Sequence, residues 1–376
     1  MRRWWRKSAL ALGVIVVGLL IAAAIVLRPY YRMPPDREEL SKRLASFHEL
    51  AQSIEARPDR DRRLFYEMIE DAAPMLRMEF EWTESECPPK AVRQWKKHEA
   101  KYPAVPGFDR KIQTIVKDGF VLQQPIAVDT KFPKMKATIR WFGLEALTAV
   151  RHAAEGDNAA ATKRLEYLAA IDQGFYDSRI IYFVMLASHL EAIYQKATLA
   201  LLPQLSDRQL ADVEKHYSEF PNPAMLLADA IRLEAVAIEE LFETNRLEMT
   251  GSFRMWLLRA ALRLGYAERE KWMLVSFLDR QIRTIEQWAA AGATTALPEA
   301  FSREELKYSP LSVMAMPDLS GVARGVQRTL RQRAAVLEAL RAEKAFRQDS
   351  TPRPPTIKAE GFGKIVFDSG NYCLLD

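Results

Sequence analysis

From Asp36 onward apolar residues recur at intervals of three and four, the period of helices buried along one side. Leu40, Leu44, Phe47 and Leu50-Ala51 fall at i, i+4, i+7 and i+10/11 and predict a first helix. Asp36 followed by Glu39 has the spacing of a capping box at its start. Pro58 breaks the pattern, and Leu64, Phe65, Met68, Ile69 and Ala72 predict a second helix. Residues 79–135 lose the periodicity and hold Pro88, Pro89, Pro103, Pro106, Pro125 and Pro133. A stretch of this length without a clear element fits a lid or wrap over the helices.

The pattern is clearest over 136–247. Ile139, Phe142, Leu144, Leu147 and Val150 make one stripe, ended by Gly156, with Asp157 or Asn158 placed to cap the next helix. That helix carries Ala161, Leu165, Leu168 and Ile171 and is expected to stop near Gly174. A third, from about Ser178 to Leu202, is apolar nearly all round and should be packed on most sides. Ser206 with Gln209 opens a fourth through a capping box. Asn222-Pro223 opens a fifth, Asn as cap and Pro in the first turn. A long pattern over 253–291 holds Trp256, Trp272 and Trp288, with Gly265 as a dividing point and Gly292 as an end. Ser302 and Glu305 make another capping pair, and a last, Arg- and Ala-rich helix covers 321–348. After Pro352, Pro354 and Pro355 the tail reads as a β-hairpin. Ile365-Val366-Phe367 and Tyr372-Cys373-Leu374 are its strands and Ser369-Gly370-Asn371 its turn. A lone hairpin is marginal in water, so it should rest on the helices.

The N-terminus follows a different rule. Ser8 to Leu27 is a run of 20 residues without a charge. At about 1.5 Å per residue a helix of that length covers roughly 30 Å, the hydrocarbon thickness of a bilayer. Trp4-Trp5 and Tyr30-Tyr31 flank it as interfacial aromatics do. Arg2, Arg3, Arg6 and Lys7 are dense before the span, whereas the bases after it are mixed with Asp36, Glu38 and Glu39. That asymmetry predicts a cytoplasmic N-terminus and an extracytoplasmic bulk, anchored in the cell inner membrane by a single pass through residues 8–27.

Charge then narrows the partners. The formal net charge is +5 from 54 Lys+Arg against 49 Asp+Glu, yet six of the bases lie within the first 32 residues, which hold no acid. The rest of the chain is close to neutral, so no nucleic-acid-binding face is expected. Two cysteines cannot build a disulfide framework or a Cys-rich zinc site. Cys87 and Cys373 could form one bond in an oxidising compartment, but two separate buried thiols are the simpler expectation.

No phosphate loop, nucleophile elbow or metalloprotease motif is present, and no residue is assigned a catalytic, cofactor-binding or metal-binding role. The five histidines are His48, His98, His152, His189 and His216. Glu145 and His152 lie two turns apart on one face, and His189 with Glu191 adds a second polar pair. Convergence of these four would give a metal or acid–base site. Without it they are surface or satisfied interior groups. Glu234, Glu239, Glu240 and Glu243 lack the Glu-x-x-His partners of helical carboxylate sites and read as a solvated face.

The segment AAEGDNAAATKRLEYLAAID at 153–172 resembles a tetratricopeptide-type helical hairpin, in its small residues, its Gly-Asp turn and its stepped Ala and Leu. Over 136–376 the order of elements resembles bacterial single-pass membrane-anchored helical proteins, and the late helix with its tail is similar to the end of pseudopilin-like proteins. The resemblance implies no catalytic residue. The expected organisation is a cytoplasmic stub and anchor (1–32), a linker with N-terminal helices and a Pro-rich region (33–135), a helical-hairpin domain (136–350) and a C-terminal tail (351–376). The fold class is mainly α: a transmembrane helix, a TPR-like helical domain and a small C-terminal β-hairpin. The expected function is a membrane-anchored scaffold or binding module for a protein or peptide partner. An envelope enzyme with a site inside the helical domain, or an accessory of a secretion or pilus-like machine, is the alternative.

Overall fold

The computed structural model describes residues 37–55, 92–93, 110, 113–114, 135–243, 267–292, 319–349, 352–358, 364–368 and 370–375. Among these the chain is mainly helical, with a small three-stranded sheet at the C-terminal end. The helices are α1 (Arg37–Glu55), α2 (Met135–Ala154), α3 (Asn158–Asp177), α4 (Ile181–Leu201), α5 (Asp207–Glu219), α6 (Pro223–Glu243), α7 (Ala267–Ala290) and α8 (Leu319–Asp349). A single 3-10 turn, Leu202–Gln204, continues α4. The strands are β1 (Thr356–Lys358), β2 (Lys364–Asp368) and β3 (Asn371–Leu375).

Local chemistry sets the helix ends. Gly156 turns the chain out of α2 with φ +87°, and Asp157 Oδ1 accepts from the Ala160 amide 3.0 Å away to start α3. Ser206 and Gln209 form a reciprocal capping box on α5: the Gln209 amide donates to Ser206 Oγ at 3.4 Å, and the Ser206 amide to Gln209 Oε1 at 2.8 Å. Asn222 Oδ1 accepts from the Ala224 amide at 2.9 Å, with Pro223 in the first turn of α6. Gly292, with φ +89°, follows the end of α7.

Helix α4 is the centre of the bundle. It packs against α2, α3, α6, α8 and β3, which explains why its sequence has no polar stripe. Phe183, Val184, Leu186, Ala187, Leu190 and Ala197 on it are fully buried. Phe142, Ala146 and Leu147 of α2 and Leu165, Leu168 and Ile171 of α3 close the core on one side, while Val336, Ala339 and Leu340 of α8 close it on another. Burying each side chain of Leu or Phe size contributes about 1.5–3 kcal/mol before conformational entropy is charged against it. A second packing group lies beyond α6. Helices α6 and α7 run against each other over most of their length, and α1 packs on both through Leu40, Leu44, Phe47, Ala51 and Ile54.

Two sequence expectations change here. Helix α3 does not stop at Gly174 but continues to Asp177, because Phe175 and Tyr176 are wholly buried and the last turn is held by packing. The tail is not a two-stranded hairpin. Thr356–Lys358 adds a third strand, giving an antiparallel sheet in the order β1-β2-β3 with Ile357 opposite Ile365 and Val366 opposite Cys373. Asn371 belongs to β3, paired with Asp368, rather than to the turn. The sheet rests on the helices as required, with Ile365, Tyr372, Cys373 and Leu374 buried and β3 lying on α4.

Helices α2 and α3 form a hairpin closed by a short turn, but at 20 residues each they exceed the 34-residue tetratricopeptide unit, so the TPR spacing is not met. Among the described residues no helix is long and apolar enough to cross a membrane, and the predicted span at 8–27 lies outside them. The predicted helix at 64–72, the Ser302–Glu305 cap and all but a few residues of 79–135 also lie outside them.

Candidate functional site

The helical period that buries Leu165 and Leu168 also turns Asp172 inward, at i+7 and i+4 from them. Asp172 is fully buried, and neither carboxyl oxygen has a hydrogen-bond partner among the described residues. Across from it Glu191 projects from the middle of α4 and is 1% exposed. Glu191 is well provided for: Tyr176 Oη donates to it at 3.0 Å, Gln195 Nε2 at 2.9 Å and Arg333 Nε at 2.9 Å. Arg333 comes from α8, its Nη2 is 2.8 Å from the same carboxylate, and its guanidinium lies 4.6 Å from the Phe220 ring centroid. It also donates to the Pro221 carbonyl at 3.3 Å, beyond the end of α5.

One guanidinium here faces two buried carboxyls, and that imbalance sets their protonation. Burial first, and the charge of Glu191 second, push the Asp172 carboxyl well above the usual carboxylate range, against the pull of Arg333. Burial pushes Glu191 up as well, but Arg333, Tyr176 and Gln195 all act to keep it ionised. Burial and the neighbouring carboxylate thus favour the neutral form at Asp172, while Arg333 and the other donors favour the ionised form at Glu191. Burial also raises the Tyr176 hydroxyl, so it remains a donor to Glu191.

Beside this cluster, α3 and α5 leave a groove of about 260 Å³ between them. Its α3 wall includes Glu166, Ala170 and Gln173, its α5 wall Asp212 and His216, and Tyr194 of α4 lines it from beneath. Gln209 Nε2 donates to Thr162 Oγ1 at 2.7 Å and holds the two walls together. The His216 ring packs edge-on against Tyr194, Tyr217 and Phe220, with centroids 5.4, 5.7 and 4.9 Å away. Burial, and then the charge of Arg333, lower the His216 pKa to about 4, so the imidazole is neutral at pH 7.

The other polar groups serve docking. Glu343 of α8, with no side-chain exposure, receives Arg347 Nε at 2.9 Å, Arg353 at 2.7 and 2.8 Å, and Tyr372 Oη at 3.2 Å. Burial acts to raise the Glu343 pKa, but Arg353 and Arg347 outweigh it and hold the carboxyl below its usual range. Arg347 also donates to the carbonyls of Leu202, Pro203 and Leu205, which lie past the C-terminus of α4. On the far side Arg43 meets Asp279 at 2.5 Å and Arg37 meets Glu268 at 2.7 Å, tying α1 to α7.

The residues singled out in sequence do not converge. Glu145 pairs with Arg164 across the α2–α3 hairpin, not with His152, which lies 3.9 Å from Asp157. His189 is exposed and donates to the Met185 carbonyl at 2.9 Å, while Glu191 turns the other way into the core. Among the described residues no group of His, Cys, Asp or Glu is placed to hold a metal ion. The expectation of a solvated glutamate face on α6 holds for the exposed Glu240 but needs correction at Glu234 and Glu239. Glu239 accepts from His48 Nε2 at 2.6 Å and lies 3.8 Å from Lys271, and burial raises the Glu234 pKa. Cys373 is buried on β3, and Cys87 lies outside the described residues.

Comparison with protein-family models, with curated proteins and with solved structures gives no match. The groove and the carboxylate pair beside it were not assigned from sequence. A usable signal existed: Asp172 continues the Leu165–Leu168 stripe and Glu191 interrupts the most apolar helix, so both charges sit where the pattern calls for Leu.

Proposed function

We propose that the chain is a membrane-anchored helical binding module that takes a segment of a protein partner into the groove between α3 and α5. The groove carries this reading. Its walls are fixed by a capping box and by the Gln209–Thr162 hydrogen bond, so the site is preformed and little ordering cost falls on binding. At about 260 Å³ it is slightly below the usual range for drug-sized ligands, and it suits one or two side chains of a peptide. Among the neighbouring buried polar groups Glu191, Arg333, Tyr176 and Gln195 are engaged with one another, and this favours a binding role over the enzyme alternative. The uncharged run at 8–27, with its aromatic flanks, supports attachment to the inner membrane with the folded part outside the cytoplasm.

The test uses the full chain reconstituted in lipid nanodiscs and a synthetic peptide library of defined sequence. Peptides that bind and compete with one another are expected, and Ala170→Trp, which fills the groove, should abolish their binding. A library without binders, or binders indifferent to Ala170→Trp, overturns the groove reading. Alkaline carbonate washing tests the anchor separately: the chain should stay with the vesicles, and release into the supernatant overturns membrane attachment.

A further inference from the structure

The groove has a definite charge. Glu166 on the α3 wall and Asp212 on the α5 wall are its only charged lining residues among the described ones, and both are exposed. Among the described residues no Lys or Arg lines it. Beneath them lie two aromatic rings, Tyr194 and His216, packed edge-to-face. His216 adds no positive charge at neutral pH, because burial keeps its ring unprotonated. Its Nε2 is buried and has no hydrogen-bond partner among the described residues. Carboxylates on the two walls with aromatic rings between them favour a cation with N–H donors. An anionic ligand would meet two negative charges on the walls, while the nearby Arg333 charge is already paired with Glu191. A metal ion is disfavoured, since these residues are not placed as a ligand set.

We propose that the groove between α3 and α5 seats a single arginine or lysine side chain presented by a protein partner, its cationic end between Glu166 and Asp212 and its methylene stem over Tyr194 and His216. This rests on the binding-module reading and narrows it to one chemistry. A peptide source is favoured over a free amine because the cavity is open at the surface and only fragment-sized. Two exposed charge pairs and one aromatic contact alone give weak binding, and flanking residues of a longer segment must add to it.

The experiment uses the full chain in nanodiscs and a pair of nonapeptides, Gly-Ala flanks around a central arginine or around its uncharged isostere citrulline. Saturation-transfer NMR on the peptide reads which protons touch the protein. The arginine peptide should show transfer on its side-chain methylenes and bind at least roughly fivefold more tightly than the citrulline peptide. Glu166→Gln with Asp212→Asn should weaken the arginine peptide roughly tenfold and bring it level with citrulline. Both residues are exposed, so an unchanged melting curve is expected for the double variant. Equal binding of the two peptides, retention of affinity in the double variant, or equal affinity for free butylguanidinium each overturns the proposal. If a neutral or acidic library peptide binds and is displaced by Ala170→Trp, the cationic assignment fails while the groove reading stands. If no peptide of any charge responds to Ala170→Trp, both fail.

Discussion

Asp172 shows what a single misplaced charge does to a packed helix. Burial with no donor among the described residues favours the neutral carboxyl, so the folded chain keeps a proton that the unfolded chain releases. Stability from this group is then complete below the unfolded value near 4 and is lost as pH rises toward the folded value. Asp172→Asn removes the titration. Relative to the parent chain, the variant should gain about 1.4 kcal/mol for each pH unit over which Asp172 is ionised only when unfolded. Urea unfolding at pH 4, 5.5 and 7 checks this, and a difference independent of pH would refute it. Arg179 is a second residue-level case. It has φ +50° between α3 and α4, a left-handed conformation unusual outside glycine, while its guanidinium lies 3.0 Å from Asp229 on α6. Arg179→Gly relieves the backbone but loses the ion pair. A change within about 1 kcal/mol is expected, and Arg179→Ala, which loses the pair and keeps the strain, should be the less stable of the two.

Ion pairs join the elements at many points, and among the described residues the Glu191–Arg333 pair is the deepest of them. It links α4 to α8 and, through the Pro221 carbonyl, to the exit of α5. Breaking a buried pair from one side leaves an uncompensated charge, so Arg333→Met should destabilise by about 3–5 kcal/mol. Replacing both, Glu191→Leu with Arg333→Met, should recover most of that loss, since apolar packing substitutes well for a buried pair. A double-mutant cycle by thermal unfolding measures the coupling. The same scale shows what was legible in the sequence. Helix starts were readable wherever a side chain caps the backbone within three residues, as at Asp157, Ser206 and Asn222, because the signal is local. The end of α3 was not, because Gly174 is overridden by the burial of Phe175 and Tyr176, which only the partner helices decide. Strand β1 escaped for a related reason. Three residues carry no measurable period, and the pairing that makes Thr356–Lys358 a strand comes from β2. The groove was invisible because its walls are far apart in sequence and its residues are ordinary.

For the molecule as a whole, the question is what keeps the small sheet on the bundle. Apolar contact supplies the area, through Ile365, Tyr372 and Leu374, but a sheet this size has little stability of its own. Glu343 supplies the specific hold: it takes donors from Arg353 before β1 and Tyr372 on β3, while Arg347 on its own helix binds the carbonyls past α4. Arg353 also stacks 3.8 Å from the Phe346 ring centroid and 4.9 Å from that of Phe367, so one side chain spans helix and sheet. The depressed Glu343 pKa means that this contribution is present above the ordinary glutamate value and is lost as pH falls through the folded value, so acid should loosen the sheet first. Glu343→Gln should do the same at neutral pH, since the amide accepts weakly and sets an N–H group against the arginines. Cys373 reports the outcome, being buried on β3 while the sheet is docked. In the presence of a reductant, alkylation of Cys373, read by peptide mass spectrometry, should be slow in the parent chain at pH 7. It should quicken at least tenfold in Glu343→Gln, while amide exchange in α2, α3 and α4 stays protected. Equal alkylation rates would mean that apolar contact alone holds the sheet, and loss of protection throughout would mean that sheet and bundle unfold as one unit.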